Sequence, residues 1–109
     1  MQQTIFITGG TGYIGKRLIP ILLEKNCRVV ALVRRGSEGK IPAGCEVVTA
    51  DPFEASSFTA AIPAGCTFVQ LLGVPRPSPR KRGQFYDIDL KSVQASAVAA
   101  QQAGVGHFV

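Results

Sequence analysis

Four glycines fall within seven residues near the start of the chain, in TIFITGGTGYIGKR. A short β-branched apolar run precedes them, and a stretch with helical spacing follows. Gly9, Gly12 and Gly15 read G-x-x-G-x-x-G between a strand and a helix, the setting a dinucleotide turn requires. Each glycine has a physical use there. One permits the tight turn, another lets the backbone approach a pyrophosphate, and a third lets the helix pack on the strand. Gly10 adds freedom to the turn. The helix N-terminus would offer unpaired N–H groups and a partial positive charge to the phosphates. Glycine spacing alone also fits a flexible loop or a tight joint, so the flanking strand and helix carry the weight.

Two further groups stand where such a ligand would extend. Arg34 lies 19 positions after Gly15, with Arg35 next. An NAD-preferring site places an acid at about this distance to hold the ribose hydroxyls. A guanidinium would instead grip a 2′-phosphate. The arginines therefore lean the reading towards NADP, with NAD as the other option; otherwise either is a solvated loop charge. Asp51 ends the third apolar run. It either hydrogen-bonds an adenine amino group or caps the helix expected to start near Phe53, with Pro52 at its first turn, and one carboxylate has room for both.

These groups need elements to position them. Thr4 to Thr8, Arg28 to Val33, Glu46 to Ala50 and Thr67 to Leu72 read as buried strands. A helix is expected from Gly12 to about Lys25, with Ile14, Leu18, Ile21 and Leu22 on its apolar positions and Pro20 bending it. A short helix is expected over 54–61. A longer one spans Gln84 to Ala103, with Phe85, Ile88, Val93 and Val98 apolar and Gly104 as its stop. His107-Phe108-Val109 opens a fifth strand. Continuous apolar strands alternating with helices predict an α/β fold, a Rossmann-type doubly wound parallel sheet of order 3-2-1-4-5, truncated after the start of strand five.

Composition narrows the classes. The 109 residues, nearly half apolar and with a net charge of +5, describe one small globular domain. Cys27, Cys45 and Cys66 are odd in number and lack CxxC spacing, which argues against a zinc site or a disulfide framework. A Cys27–Cys45 bridge between neighbouring strands is geometrically open but unexpected in a reducing compartment. The N-terminus has no signal-peptide pattern, and no apolar run approaches the ~20 residues of a membrane span. A cytoplasmic protein without a membrane partner is expected.

Several segments taken together resemble a family. TGGTGYIG is similar to the TGxxGxxG signature of the extended and atypical short-chain dehydrogenase/reductases, the NAD(P)-dependent epimerase/dehydratase-like and NmrA-like proteins. ALVRR, TADPFEASSF, FVQLLGVPRPSP and DIDLKSVQASAVAAQQAGVGHFV resemble, in order, later segments of that family's cofactor-binding part. The resemblance implies that Gly9, Gly12, Tyr13, Ile14 and Gly15 surround the pyrophosphate, the Tyr13 side chain being incidental. It implies that Arg34 takes the 2′-phosphate, that Asp51 and Pro52 meet the adenine, and that Leu72 and Gly73 line the ribose side. Catalytic members carry a Tyr-x-x-x-Lys pair; here Tyr13 is followed by Arg17 and Tyr86 by Leu90. The expectation is an N-terminal fragment, residues 1–109, that binds cofactor and lacks the catalytic half and the small-molecule substrate site. A non-catalytic NmrA-like sensor is the alternative, separated from an enzyme by the presence of that pair beyond Val109.

Other features read more plainly. PRPSPRKRG, residues 75–83, is either a stiff solvated loop or, as the resemblance implies, a basic border of the nicotinamide and substrate pocket that attracts an anionic substrate or the cofactor phosphates. With only Phe85 and Tyr86 nearby and no recognition motif, a nucleic-acid partner is not expected. Asp87 and Asp89, two apart on a helix, do not form a carboxylate pair. His107 reads as structural. An unpaired sheet edge would favour self-association into a homo-oligomer.

Overall fold

The computed structural model describes residues 2–72 and 82–109, the side chains of 82–89 excepted. Five parallel strands form one sheet: β1 (Thr4–Thr8), β2 (Arg28–Val33), β3 (Glu46–Thr49), β4 (Thr67–Gln70) and β5 (His107–Phe108), in spatial order β3-β2-β1-β4-β5. This is the doubly wound order expected from the alternation of apolar runs. The register sets Phe6 beside both Val30 and Phe68, so the centre of the sheet is built from β-branched and aromatic residues.

Helix α1 (Tyr13–Glu24) follows β1 and helix α2 (Arg82–Ala103) precedes β5. Two cores result, one on each face of the sheet. Ile7, Val29 and Ala31 pack with Ile19 of α1, joined by Leu18, Leu22 and Leu23. Phe6, Val30, Leu32 and Phe68 pack with Phe58, Ile62, Ala99 and Ala100 on the other face. The Phe6 ring lies 5.1 Å from that of Phe68 and 6.3 Å from that of Phe58, within the range of favourable aromatic pairs.

The inward faces of both helices depart from the expected ones. Ile14 and Ile21 are 59% and 49% exposed, while Ile19 is fully buried. Gly15 sets this rotation: it lies against Gly10, so residues near 0° and 40° from it, such as Ile19, turn inward. On α2, Val93 and Val98 are 43% and 47% exposed, and Ser92, Ala95, Ser96, Ala99 and Ala100 are buried. Small side chains let this helix lie close to the sheet, and the bulkier residues face away. Phe85, Ile88, Asp87 and Asp89 lie outside the described side chains.

Element ends also shift. Strands β3 and β4 stop at Thr49 and Gln70, one and two residues early. The helix expected over 54–61 is two single 3-10 turns, Ala55–Ser57 and Thr59–Ala61. The thiols of Cys27, Cys45 and Cys66 are free.

Helix α1 ends in a left-handed closure. Asn26 has φ 61°; its N–H bonds to the Leu23 carbonyl at 3.0 Å, and the Cys27 N–H bonds to the Leu22 carbonyl at 3.0 Å. These two bonds satisfy carbonyls that the helix end would otherwise leave open. Gly104, with φ 72°, turns the chain out of α2.

Candidate functional site at the C-terminal rim of the sheet

The turn between β1 and α1 sits at the carboxyl end of the central strand, where the strand order reverses. In open α/β sheets that crevice is where ligands bind. Its glycines have separable reasons. Gly9 has φ 75°, and a Cβ there would come within 2.5 Å of the Leu71 and Leu72 backbone. Gly15 would bring a Cβ within 2.5 Å of the Gly10 backbone. Both are demanded by the fold itself. Gly12 differs: its φ is −80°, which any residue adopts, and a Cβ would meet only the Gly9 carbonyl oxygen, at 3.3 Å.

Gly12 is also the N-cap of α1 and supplies no side-chain cap; the first turn carries no acidic residue. The Lys16 N–H reaches the Gly12 carbonyl at 2.9 Å, and the Gly12 N–H reaches the Gly9 carbonyl at 3.1 Å. Among the described residues, no acceptor meets the N–H groups of Tyr13, Ile14 and Gly15. Gly12, Tyr13 and Ile14 are exposed, so this end of the helix opens outward with its dipole uncompensated. The Tyr13 ring is occupied elsewhere, beneath the Arg17 guanidinium at 3.8 Å.

A buried polar cluster secures the turn from below. Gln70 Oε1 accepts from Thr8 Oγ1 and from Ser96 Oγ, the latter at 2.8 Å. Its Nε2 donates to Ser92 Oγ at 2.9 Å and to the Leu72 carbonyl at 3.4 Å. Thr8, Ser92 and Ser96 are fully buried. One amide thus joins the last residue of β1, the exit of β4 and the inner face of α2. Sequence reading missed it, because a polar residue at a strand end gives no sign of being covered.

The rim continues outward over β2 and β3. Arg34 and Arg35 leave the end of β2 exposed. The Arg28–Glu46 pair is the one ion pair among the described residues, so none of their carboxylates neutralises either rim arginine. Glu38 shapes the loop they begin. Its carboxylate accepts the Gly36 N–H at 2.7 Å and the Thr49 hydroxyl at 3.1 Å. Bonds to backbone N–H, its own first, hold its pKa below the ordinary carboxylate value. Sequence reading missed this clasp as well; an acid near a glycine in a loop is the only signal it leaves.

Asp51 follows β3, and its Oδ1 accepts the Phe53 N–H at 2.9 Å. The capping alternative is therefore realised, on a turn rather than a helix. Ser57 Oγ accepts the Asp51 N–H at 3.2 Å and donates to the Asp51 carbonyl at 2.9 Å. Pro52 is buried behind it, and Leu72 is half-buried beside Gly9. Gly73 and the basic segment 75–81 lie outside the described residues. The structure thus aligns the glycine turn, Arg34, Arg35, Asp51 and Leu72 along the carboxyl ends of β1 to β4.

Other chemistry is thinly represented. Burial pushes the Cys45 and Cys66 thiols up from their ordinary pKa, so neither is poised as a thiolate nucleophile. A hollow of about 400 Å³ is lined by Gln2, Gln3, Thr4, Ala64, Gly65, Cys66 and Thr67, at the opposite, N-terminal end of β1 and β4. Among the described residues no metal-ligating cluster is present, and no helix is long and apolar enough to cross a membrane.

Comparison with known proteins adds three kinds of finding. Residues 9–109 match the model of a family described as NAD(P)H-binding. The chain is similar in structure to gox2253, with a TM-score of 0.82 at 20% identity, over 98% of this chain and 33% of that one. It is similar to a UDP-glucose 4-epimerase from Thermotoga maritima, solved with UDP-glucose, at a TM-score of 0.79 and 16% identity, covering 97% and 36%. It is also similar to a short-chain dehydrogenase/reductase superfamily protein from Agrobacterium tumefaciens solved with bound NAD, at 0.72 and 22%, covering 97% and 31%. The chain spans about a third of the length of these proteins.

Proposed function

The chain belongs to the NAD(P)H-binding family, and from that premise we propose that residues 1–109 form the NADP-binding part of a larger oxidoreductase or epimerase-like protein. The observation that carries the reading is Gly12. Packing explains Gly9 and Gly15, but the fold has no comparable need for a bare Cα at Gly12, which stands exposed before N–H groups that meet no acceptor among the described residues. A diphosphate has that need, because a Cβ there would hold it away from the helix end.

In this reading Gly9, Gly12, Tyr13, Ile14 and Gly15 enclose the pyrophosphate through backbone. Arg34 grips the 2′-phosphate with Arg35 beside it, and neither guanidinium is paired with a carboxylate among the described residues. Asp51 keeps Oδ2 for the adenine amino group while Oδ1 holds its turn; Pro52 flanks it, and Leu72 lies on the ribose side. Gly73 belongs to the same proposed lining by sequence position. The residues present fit the dinucleotide: donors face its anionic centre and cations face its extra phosphate. When bound, the nicotinamide supplies hydride transfer. This chain's own part is to bind and orient. A small-molecule substrate, a cytoplasmic setting and self-association through the sheet edge are the corresponding proposals for the whole protein.

Calorimetric titration of NADPH and NADH into the chain and its Arg34→Ala variant tests this. NADPH should bind more tightly, and the variant should lose about tenfold for NADPH alone, the worth of one charge-assisted contact. Equal affinities, unmoved by the substitution, would remove the NADP assignment.

A further inference from the structure

The Arg34 guanidinium carbon stands 5.5 Å from the centroid of the Phe53 ring. We propose that Phe53 is a positioning residue for cofactor choice: its ring holds the Arg34 guanidinium at the ribose edge without neutralising it. This deepens the NADP reading above and rests on it.

The argument begins with what an exposed arginine does alone. Its side chain samples many rotamers, and gripping a phosphate removes that freedom. A carboxylate partner would order it but would also compensate the charge the phosphate needs. An aromatic face orders it by cation–π attraction and leaves the N–H edge and the net charge available. Among the described residues, Arg34 has the ring and no acid. Arg35, its neighbour, has neither among the described residues.

The ring is itself well anchored. Phe53 is half-buried and follows buried Pro52. Its N–H bonds to Asp51 Oδ1, and Ser57 Oγ brackets both backbone groups of Asp51. The Ala50 N–H bonds to the Val33 carbonyl at 3.1 Å, so the segments carrying Arg34 and Phe53 leave adjacent strands in fixed register. Asp51 and Arg34, separate candidates in the sequence, are thereby joined through Phe53 into one assembly.

A double-mutant cycle on the intact chain separates this from simpler roles. Phe53→Ala should raise the NADPH Kd about three- to fivefold, as expected for an exposed cation–π pair, and leave the NADH Kd unchanged. In the Arg34→Ala background the same substitution should do nothing further. Phe53→Tyr, which keeps the ring, should restore NADPH binding. Phe53→Leu, which keeps bulk without a π face, should behave as Phe53→Ala and guards against loss of fold. Equal weakening for both cofactors, persisting without Arg34, would mean that Phe53 meets the adenine directly and would overturn the proposal. So would an unchanged NADPH Kd in a chain whose Arg34→Ala variant has lost its preference. If the parent chain binds neither cofactor, or Arg34→Ala is silent, the NADP reading itself falls and takes this inference with it.

Discussion

The two ends of the rim are built in opposite ways. At the glycine turn the chain is fixed from inside: Gly9 is wedged against the Leu71–Leu72 backbone, Gly15 lies on Gly10, and Gln70 ties Thr8 to α2. At the outer rim, over β2 and β3, exposed side chains do the holding. Glu38 spans from Gly36 to Thr49, Ser57 clasps Asp51, and Arg34 leans on Phe53. The inner part presents backbone donors, which vary little with side-chain identity. The outer part presents side chains, which a single substitution can exchange. Such a division suits a ligand with one constant anionic centre and one variable end.

The comparison can be broken first at its inner end. Gly9→Ala places a Cβ 2.5 Å from backbone at a positive φ, and should destabilise the chain by about 3 kcal/mol or more in urea unfolding. A stable Gly9→Ala chain would show that the turn is softer than described. Gln70→Leu should cost about 2 kcal/mol, because Thr8 and Ser96 lose their buried acceptor. Gly12→Ala sharpens the contrast. Stability should stay within about 1 kcal/mol, while NADPH and NADH both lose about tenfold, or ~1.4 kcal/mol. If affinity survives, Gly12 is not a ligand-facing position.

The outer end yields smaller effects. Glu38 and Glu46 both titrate below the ordinary carboxylate value; the first cause is a backbone N–H bond for Glu38 and the Arg28 hydrogen bond for Glu46. Their contribution should be fully present above the unfolded value of about 4.3 and fade as the pH falls through the lowered folded values. Glu38→Gln should flatten that part of a melting-temperature profile. Because both groups are exposed, solvent and salt keep the change small.

Much of the inner architecture was legible in the sequence because it depends on local signals. The short, β-branched TIFIT and RVVALV runs read as buried strands, and the glycine spacing marks the turn. What escaped reading depends on distance between elements. Val93 and Val98 are the more apolar choice for the covered face of α2, but the gap to the sheet admits only Ser92, Ala95, Ser96 and their like. Ile14 and Ile21 lost their place to Ile19 because one close backbone contact at Gly15 fixes the rotation of α1. Gln70 and Glu38 act through partners 26 and 11 residues away, beyond any periodicity. Arg34 and Asp51 could be located along the chain, whereas the ring between them required coordinates.

Asn26 offers an internal ruler. It is the one non-glycine residue with positive φ among the described residues, and it sits at the end of α1 remote from the glycine turn. Asn26→Gly should relieve a mild backbone penalty and add about 0.5 kcal/mol. Because that substitution touches neither half of the rim, it should raise the melting midpoint while every titration curve stays where it was. A variant that shifts binding can then be judged against a known increment of pure scaffold strength.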